Sequence, residues 1–363
     1  NTQAVFTLTT NIVLTWHWTN EYRLVLTNSS GGTVNSETNG WYTNGVTVEA
    51  VATQADGYVF FQWTGDVPSG QETNNPLFLT MDQPRNVAAQ FFSASGATRY
   101  WTGSNVWESV TNWSPSGMPG PYDTAVIQAG TVLLGNSRTA ASLIITNGAT
   151  MVFTNWTTVL SVSDSVVIYS NGLVRLPLPF TTNQMSNQIT IICSNLVVRA
   201  GGAINADGRG YAGTNGNGFG PGRGMFGIRP SGAGHGGAGG DGTDWTVLTA
   251  GGPTNDALER PVLPGSSGGG YDLTRIGGAG GGVIHIEATN VTVEGIISAN
   301  GGASGVWCGG GAGGSIRINC GVLTGGGFIG ARGGNGDAAN GGGGGGGGCV
   351  ALAFQTLAGG GLP

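Results

Sequence analysis

The chain has 363 residues, 72 of them glycine, with 9% charged residues and a formal net charge of −6. Disordered chains are rich in charge and poor in β-branched and aromatic residues. This chain is rich in Thr, Val, Ile, Asn and Trp instead, so it is expected to fold, and to fold as β structure.

All 13 basic residues are arginine, which excludes Lys–Asn isopeptide cross-links and Schiff-base chemistry. The sparse, acidic charge argues against nucleic acid as a partner. No apolar run reaches the ~18 residues of a membrane-spanning helix, so membrane insertion is not expected. The glycines do not follow a G-X-Y repeat, which excludes collagen. With no initiator Met and no signal peptide, the chain is expected to be a processed or trimmed product.

In chain order, residues 6–18 read FTLTTNIVLTWHW and look like a second copy of the module end FLTMDQPRNVAAQF at 78–91. Residues 1–20 are therefore expected to be tail strands of a preceding repeat and an inter-subunit strand, with Phe6, Leu8, Ile12, Leu14 and Trp16 as polymer contacts. Residues 21–96 carry alternating runs at Val46–Val51 and Tyr58–Trp63, with turn signals at Asp56-Gly57 and Gly65-Asp66, which predict a small antiparallel β domain. The order GWY, GY-x-F-x-x-W-x-GD and NPL-x-LTM-x(4)-NV-x-A-x-F resembles the divergent internalin B-type repeats of bacterial surface proteins. That resemblance implies a spacer and adhesion module and no enzyme. Trp41, Trp63 and Phe91 are expected in its core.

Residues 97–140 contain W-x-G-x(3)-W-x(4)-NW-x(5)-P-x(3)-D-x-A-x-I, which resembles the start of β-helical passenger domains in secreted bacterial proteins. Trp101, Trp107 and Trp113 are expected to cap the open end of a solenoid. Residues 141–363 are repetitive. ITIICSNLVVRAGGAINADGRG (189–210), VIHIEATNVTVEGIISANGG (283–302), SIRINCGVLTGGGFIGARGG (315–334) and CVALAFQTLAGGGLP (349–363) share an alternating strand, a corner and a second strand. The expected fold class is all-β: the small antiparallel repeat domain, then a parallel β-helix whose rungs lie about 4.8 Å apart. The alternation puts Ile189, Ile191 and Cys193 inward with Ile284, Ile286 and Ala288, with Ile316, Ile318 and Cys320, and with Val350, Leu352 and Phe354. Thr190, His285, Arg317 and Ala351 should face outward.

Glycine-rich excursions at about 208–282, 301–314 and 333–348 leave at the same corner, after A-x-G at Ala206, Ala299 and Ala331. They are expected to form stacked, polyproline-II-like strands joined by backbone hydrogen bonds, because glycine strands approach more closely than side chains permit. A phosphate-cradling loop is excluded, since that motif needs a lysine and a following helix.

The four cysteines form no CxxC pair, so no zinc site is expected. Cys193 and Cys320 share a ladder two rungs apart, about 9.6 Å, beyond the ~7 Å a disulfide spans; they are expected to be buried free thiols. Cys308 and Cys349 border glycine excursions one rung apart and are the disulfide candidates.

No serine–histidine–acid order or repeated acid cluster suggests catalysis, and no catalytic, metal-binding or cofactor-binding residue is assigned. His235, Asp241 and Asp244 share one loop without recognisable ligand spacing. Sequons at Asn28, Asn112, Asn155 and Asn290 leave glycosylation open. The reading is a structural subunit of an extracellular, secreted bacterial filament or surface fibre. It would assemble with itself head-to-tail, and Phe354, Leu357 and Leu362 would supply the other half of the contact. The alternatives are a segment of a giant adhesin that binds glycans or cells, and a polysaccharide-active β-helix enzyme.

Overall fold

The computed structural model describes residues 17–358 except 36–37, 147, 182–186, 245, 247 and 273. Phe6, Leu8, Ile12, Leu14, Trp16 and Leu362 lie outside the described residues. The chain divides into two compact units, residues 1–95 and 96–363. Among the described residues both are β structure with no α-helix.

The first unit centres on a four-stranded sheet in the order Gly40–Thr43, Glu21–Asn28, Arg85–Ser93, Tyr58–Gly65. Its central pair is parallel, contrary to the all-antiparallel expectation, because those two strands are far apart in the chain and are not joined by a hairpin. Alternation sends Leu24, Leu26, Val87, Ala89 and Phe91 to one face, where they pack with Trp63, Leu77, Leu79 and Met81. The Trp63 indole N–H donates to Asn74 O at 2.8 Å, so the buried ring keeps its polar tip satisfied. Trp41 departs from expectation: it is 66% exposed. On a strand only one parity faces the core, and Tyr42 takes that side, leaving Trp41 outward opposite Arg23.

In the second unit the chain adds strands to two sheets in turn. The longer sheet runs in the order Trp113–Ser114, Thr98–Trp101, Thr124–Ile127, Ser142–Ile145, Leu160–Ile168, Gln188–Val198, Val283–Val293, Ser315–Thr324, Cys349–Ala358. The shorter sheet runs Ser104–Val106, Thr131–Leu134, Thr150–Phe153, Leu173–Arg175, Ala203–Asn205, Ile296–Ser298, Phe328–Gly330. All these neighbours pair parallel except Trp113–Ser114 with Thr98–Trp101. One apolar cluster fills the space between the sheets. At one end Trp101 and Trp107 pack edge-on against Trp113, with ring centroids 5.0 and 4.9 Å away.

The register of the last four long strands follows the alternation. Ile189 pairs with Ile284, then Ile316, then Val350. Ile191, Ile286, Ile318 and Leu352 form a second ladder, and Cys193, Ala288, Cys320 and Phe354 a third. Each long strand bends between two inward runs, at Ser194, Thr289 and Gly321, where the pairing skips a residue. The corner and second strand expected after each first strand are therefore one continuous element, and a third short segment lies in the other sheet.

Between the long strands the glycine segments are joined by backbone hydrogen bonds with a period of three. Successive N–H groups of 309–314 donate to Gly269, Gly343, Gly302, Ser266, Gly346 and Ala299. Residues 309 and 312 thus reach one neighbour, 310 and 313 a second, 311 and 314 a third. A strand with three residues per turn presents its amides this way. Gly343, Gly345, Gly346 and Gly348 donate to Pro230, Gly334, Ala233 and Ala331. These positions have no room for a side chain: a Cβ on Gly343, Gly345, Gly346 or Gly348 would stand 2.0, 1.9, 2.2 or 2.1 Å from a carbonyl oxygen of a neighbouring strand. Neighbouring backbones hold the eight-glycine run in place.

Candidate functional site: the open edge and the polar groups around it

Two of the inward ladders are buried through three successive strands and lose their cover at the fourth. Ile189, Ile284 and Ile316 are buried, and so are Leu196, Val291 and Leu323. Their partners on Cys349–Ala358 are not: Val350 is 40% and Leu357 37% exposed, while Phe354, also 37% exposed, ends a third ladder in which Ala288 and Cys320 are already only half-buried. Among the described residues this strand pairs on one side only, with Ser315–Thr324. An unpaired, apolar edge is a template for a further strand.

Behind that edge lies a buried polar cluster. His235 Nδ1 is 2.8 Å from Gly313 O, so Nδ1 carries the proton. Its Nε2 stands 3.3 Å from Asp256 Oδ2, within ion-pair distance but off the hydrogen-bond direction. Asp256 Oδ2 also accepts from Val262 N and Leu263 N at 2.8 Å and from Ser315 Oγ at 3.1 Å. Burial pushes the His235 pKa below the usual histidine value, against the opposing pull of the Gly313 carbonyl and the Asp256 carboxylate. Serine and histidine both face the carboxylate, so the histidine cannot relay a proton from the serine as in a hydrolase triad. The cluster fastens the 256–263 segment to the glycine strands and to the start of Ser315–Thr324.

The remaining candidates are dispersed. Asp244 pairs with Arg229 at 2.8 Å, and Asp241 accepts from Gly251 N at 2.8 Å. Neither joins His235, and no group of three metal-ligating side chains occurs among the described residues. On the outward face His285 contacts the Arg317 guanidinium and lies 3.1 Å from Glu287; burial first, then Arg317, lowers its pKa. Asp207 accepts from Asn300 N at 2.6 Å, and Asn300 accepts from Arg332 N at 2.8 Å. The Arg332 guanidinium turns over the Phe328 ring instead of reaching Asp207. Of the sequons, Asn28, Asn112 and Asn290 spend their side-chain amides on Gly32 O, Thr102 O and Asn195 Oδ1.

All four cysteines are free. Cys193 and Cys349 are buried, and burial pushes their thiols up to about 12 and about 11, with Asp256 adding to the second. Cys320 is only half-buried. Cys308 and Cys349 form no bridge, contrary to expectation. Cys349 is in register with Ser315, and Cys308 lies seven residues earlier along an extended strand, about 20 Å at ~3.1 Å per residue.

Sequence reasoning missed one surface group. Tyr271 and Trp307 rings lie 5.2 Å apart, with Arg229 5.3 Å from Trp307 and Arg275 5.3 Å from Tyr271. These residues come from two glycine-rich excursions, 208–282 and 301–314, and only the stacking of their strands brings them together.

No curated protein and no solved structure matches the chain. A repeat module of the kind found here suggests a surface protein. Residues 22–95, within the first compact unit, match the family model described as the divergent InlB B-repeat domain.

Proposed function

We propose that the chain is a structural subunit of an extracellular bacterial filament or surface fibre, assembled head-to-tail. In this reading the two parallel sheets are the walls of a β-helix, and the glycine segments are a polyglycine-II-like layer on one side of it. The observation that carries the reading is the open strand Cys349–Ala358, where Val350 and Leu357 continue two buried ladders into solvent and Phe354 extends a third, half-buried one. Residues 6–16 of the next copy, which lie outside the described residues, carry the alternating apolar sequence that such an edge would accept by main-chain pairing. A contact of this kind between different surfaces does not close on itself and builds a filament. The low charge, the absence of lysine and the glycine-packed body suit a durable, protease-resistant polymer.

Electron microscopy of the purified chain tests this. Regular filaments are expected, and Phe354→Asp should abolish them without unfolding the protein. Isolated rods from the unmodified chain, at every concentration tried, refute the reading.

A second reading, a segment of a giant adhesin, is favoured by one observation: Trp41 is 66% exposed beside Arg23 on an edge strand. An exposed indole is a stacking surface for a sugar ring. Quenching or enhancement of tryptophan fluorescence by glycans, lost in Trp41→Ala, would support it; no response across bacterial and plant glycans would remove it.

A further inference from the structure

We infer that the outer face of the glycine strand 343–348 is a docking surface for the same face of a second copy of this chain, paired antiparallel about a two-fold axis. This goes beyond head-to-tail growth and uses different residues.

The first observation is a relay of hydrogen bonds along the rungs. Gly278 and Gly281 N–H donate to Gly309 O and Ala312 O, each at 2.9 Å. One rung on, Gly310 and Gly313 donate to Gly343 O and Gly346 O at 2.9 and 3.0 Å. The next donors in the series are Gly344 and Gly347. Both are exposed, and among the described residues neither N–H has an acceptor. The carbonyls follow suit. Gly311 O accepts from Gly334 N at 2.8 Å, whereas its counterpart Gly345 O accepts from no described residue.

The second observation concerns glycines that the chain itself does not require. A Cβ on Gly347 would meet nothing within 4 Å, and one on Gly344 only Gly334 O at 3.9 Å. Neither has a φ in the left-handed region. Glycine costs conformational entropy on ordering, and within this strand these are the two positions where an alanine would fit. A neighbour approaching from outside, as closely as the internal strands approach one another, accounts for glycine there.

Such a neighbour must arrive without a Cβ at the contact and offer carbonyls every third residue, which describes another glycine strand. Among the described residues, and apart from Gly305 at the turn before Cys308, the exposed glycines of the hydrogen-bonded glycine strands are Gly240, Gly344 and Gly347, and Gly240 N donates to Gly344 O at 2.7 Å. All three lie on one face, so a second copy can offer a matching strand only from the same face, which makes the contact isologous. Donors at 344 and 347 and acceptors at 345 and 348 make the face self-complementary. Antiparallel pairing is one this strand already uses, since Gly345 and Gly348 donate to Gly334 and Ala331. It sets the two Cys349 ends about 20 Å apart at ~3.1 Å per residue.

The test is the association state of the whole chain by sedimentation velocity, with Phe354→Asp present to block filaments. A dimer is expected. Replacing Gly344→Gln and Gly347→Gln together should weaken it about tenfold or more, through lost backbone bonds and steric exclusion, with the thermal midpoint unchanged. In mild oxidation, a Gly344→Cys chain mixed with a Gly347→Cys chain should give the mixed dimer in preference to either like pair. A Phe354→Asp chain that stays monomeric, a dimer indifferent to the glutamine pair, or a glutamine pair that unfolds the protein each overturns the inference. Filaments of the otherwise unmodified chain should persist in the glutamine pair, because head-to-tail growth uses other residues, so a failed dimer leaves the filament reading standing.

Discussion

Adjacent glycines of the same run should respond oppositely to the same substitution. In Gly346→Ala the new Cβ would stand 2.2 Å from Gly237 O and 2.6 Å from Ala238 O. Ordinary contact needs roughly 3.4 Å, so one of two packed backbones must move by about 1 Å, in a region with no side chain to rotate away. That movement strains Gly346 N to Ala233 O at 2.7 Å and Gly313 N to Gly346 O at 3.0 Å. Overpacking costs about 1–3 kcal/mol and each weakened bond about 1 kcal/mol, giving a loss of roughly 3–5 kcal/mol. For a unit of this size the melting midpoint falls by about 10 °C. Gly347→Ala meets nothing within 4 Å and removes unfolded-state freedom worth ~0.4–1 kcal/mol, so its midpoint should hold or rise by up to about 3 °C. Calorimetry of the two variants, each with Phe354→Asp to keep the samples free of filaments and diluted until the chain is monomeric, decides the matter. Equal losses, or a harmless Gly346→Ala, would show that the three-residue periodicity does not describe this strand.

Trp107→Ala should cost about 3–5 kcal/mol, seen as a midpoint drop near 10 °C and loss of near-ultraviolet tryptophan signal, because Trp107 seals one end of the apolar cluster. His235 and His285 both have lowered pKa values, so the unfolded chain binds their protons more readily. Their stabilisation is full above the unfolded value of about 6.5 and fades as pH falls below it. Melting midpoints should therefore decline from pH 7 to pH 5, with a flatter slope in His235→Asn; a flat wild-type profile would contradict this. The folded chain should resist a thiol reagent at pH 8 at Cys193 and Cys349, whose thiols are pushed to about 12 and about 11. Intact mass should show four reduced cysteines, and a species two hydrogens lighter would restore the bridge. Asp207→Ala removes the acceptor of Asn300 N and should cost about 1–2 kcal/mol in chemical denaturation.

The ladders were legible because strand alternation has a period of two and the four repeats could be aligned by eye. The match Ile189–Ile284–Ile316–Val350 needs only that register. Trp41 was misplaced because a motif position does not say which parity of its strand faces the core, and Tyr42 takes that side. The Cys308–Cys349 pairing failed on length. One rung apart is correct along the axis, but sequence proximity to a glycine segment does not distinguish its near end from its far end. His235–Asp256–Ser315 carries no local signal, since its members come from the long excursion and the next rung, and only the stacking of glycine strands sets them side by side. The excess of glycine was visible, but which glycines are obligatory was not. That depends on which neighbour faces each third of a turn.

The sheet and the glycine layer are one register system. Val283 pairs with Ser315, and Gly278 donates to Gly309; one rung later Ser315 pairs with Cys349, and Gly310 donates to Gly343. In both steps the glycine offset is one residue shorter than the sheet offset, although the two excursions differ in length. Each glycine strand runs directly into its long strand, so a slip in one forces a slip in the other. A one-residue slip in the sheet would turn Ile284 and Ile286 out to solvent. A one-residue slip among the glycines would rotate each amide by a third of a turn, away from its acceptor. The apolar ladders therefore fix the glycine register, and the backbone bonds of the glycines hold the ladders in step. For this reason excursions of unequal length can be inserted between rungs, provided that each returns through the same few glycines before the strand begins.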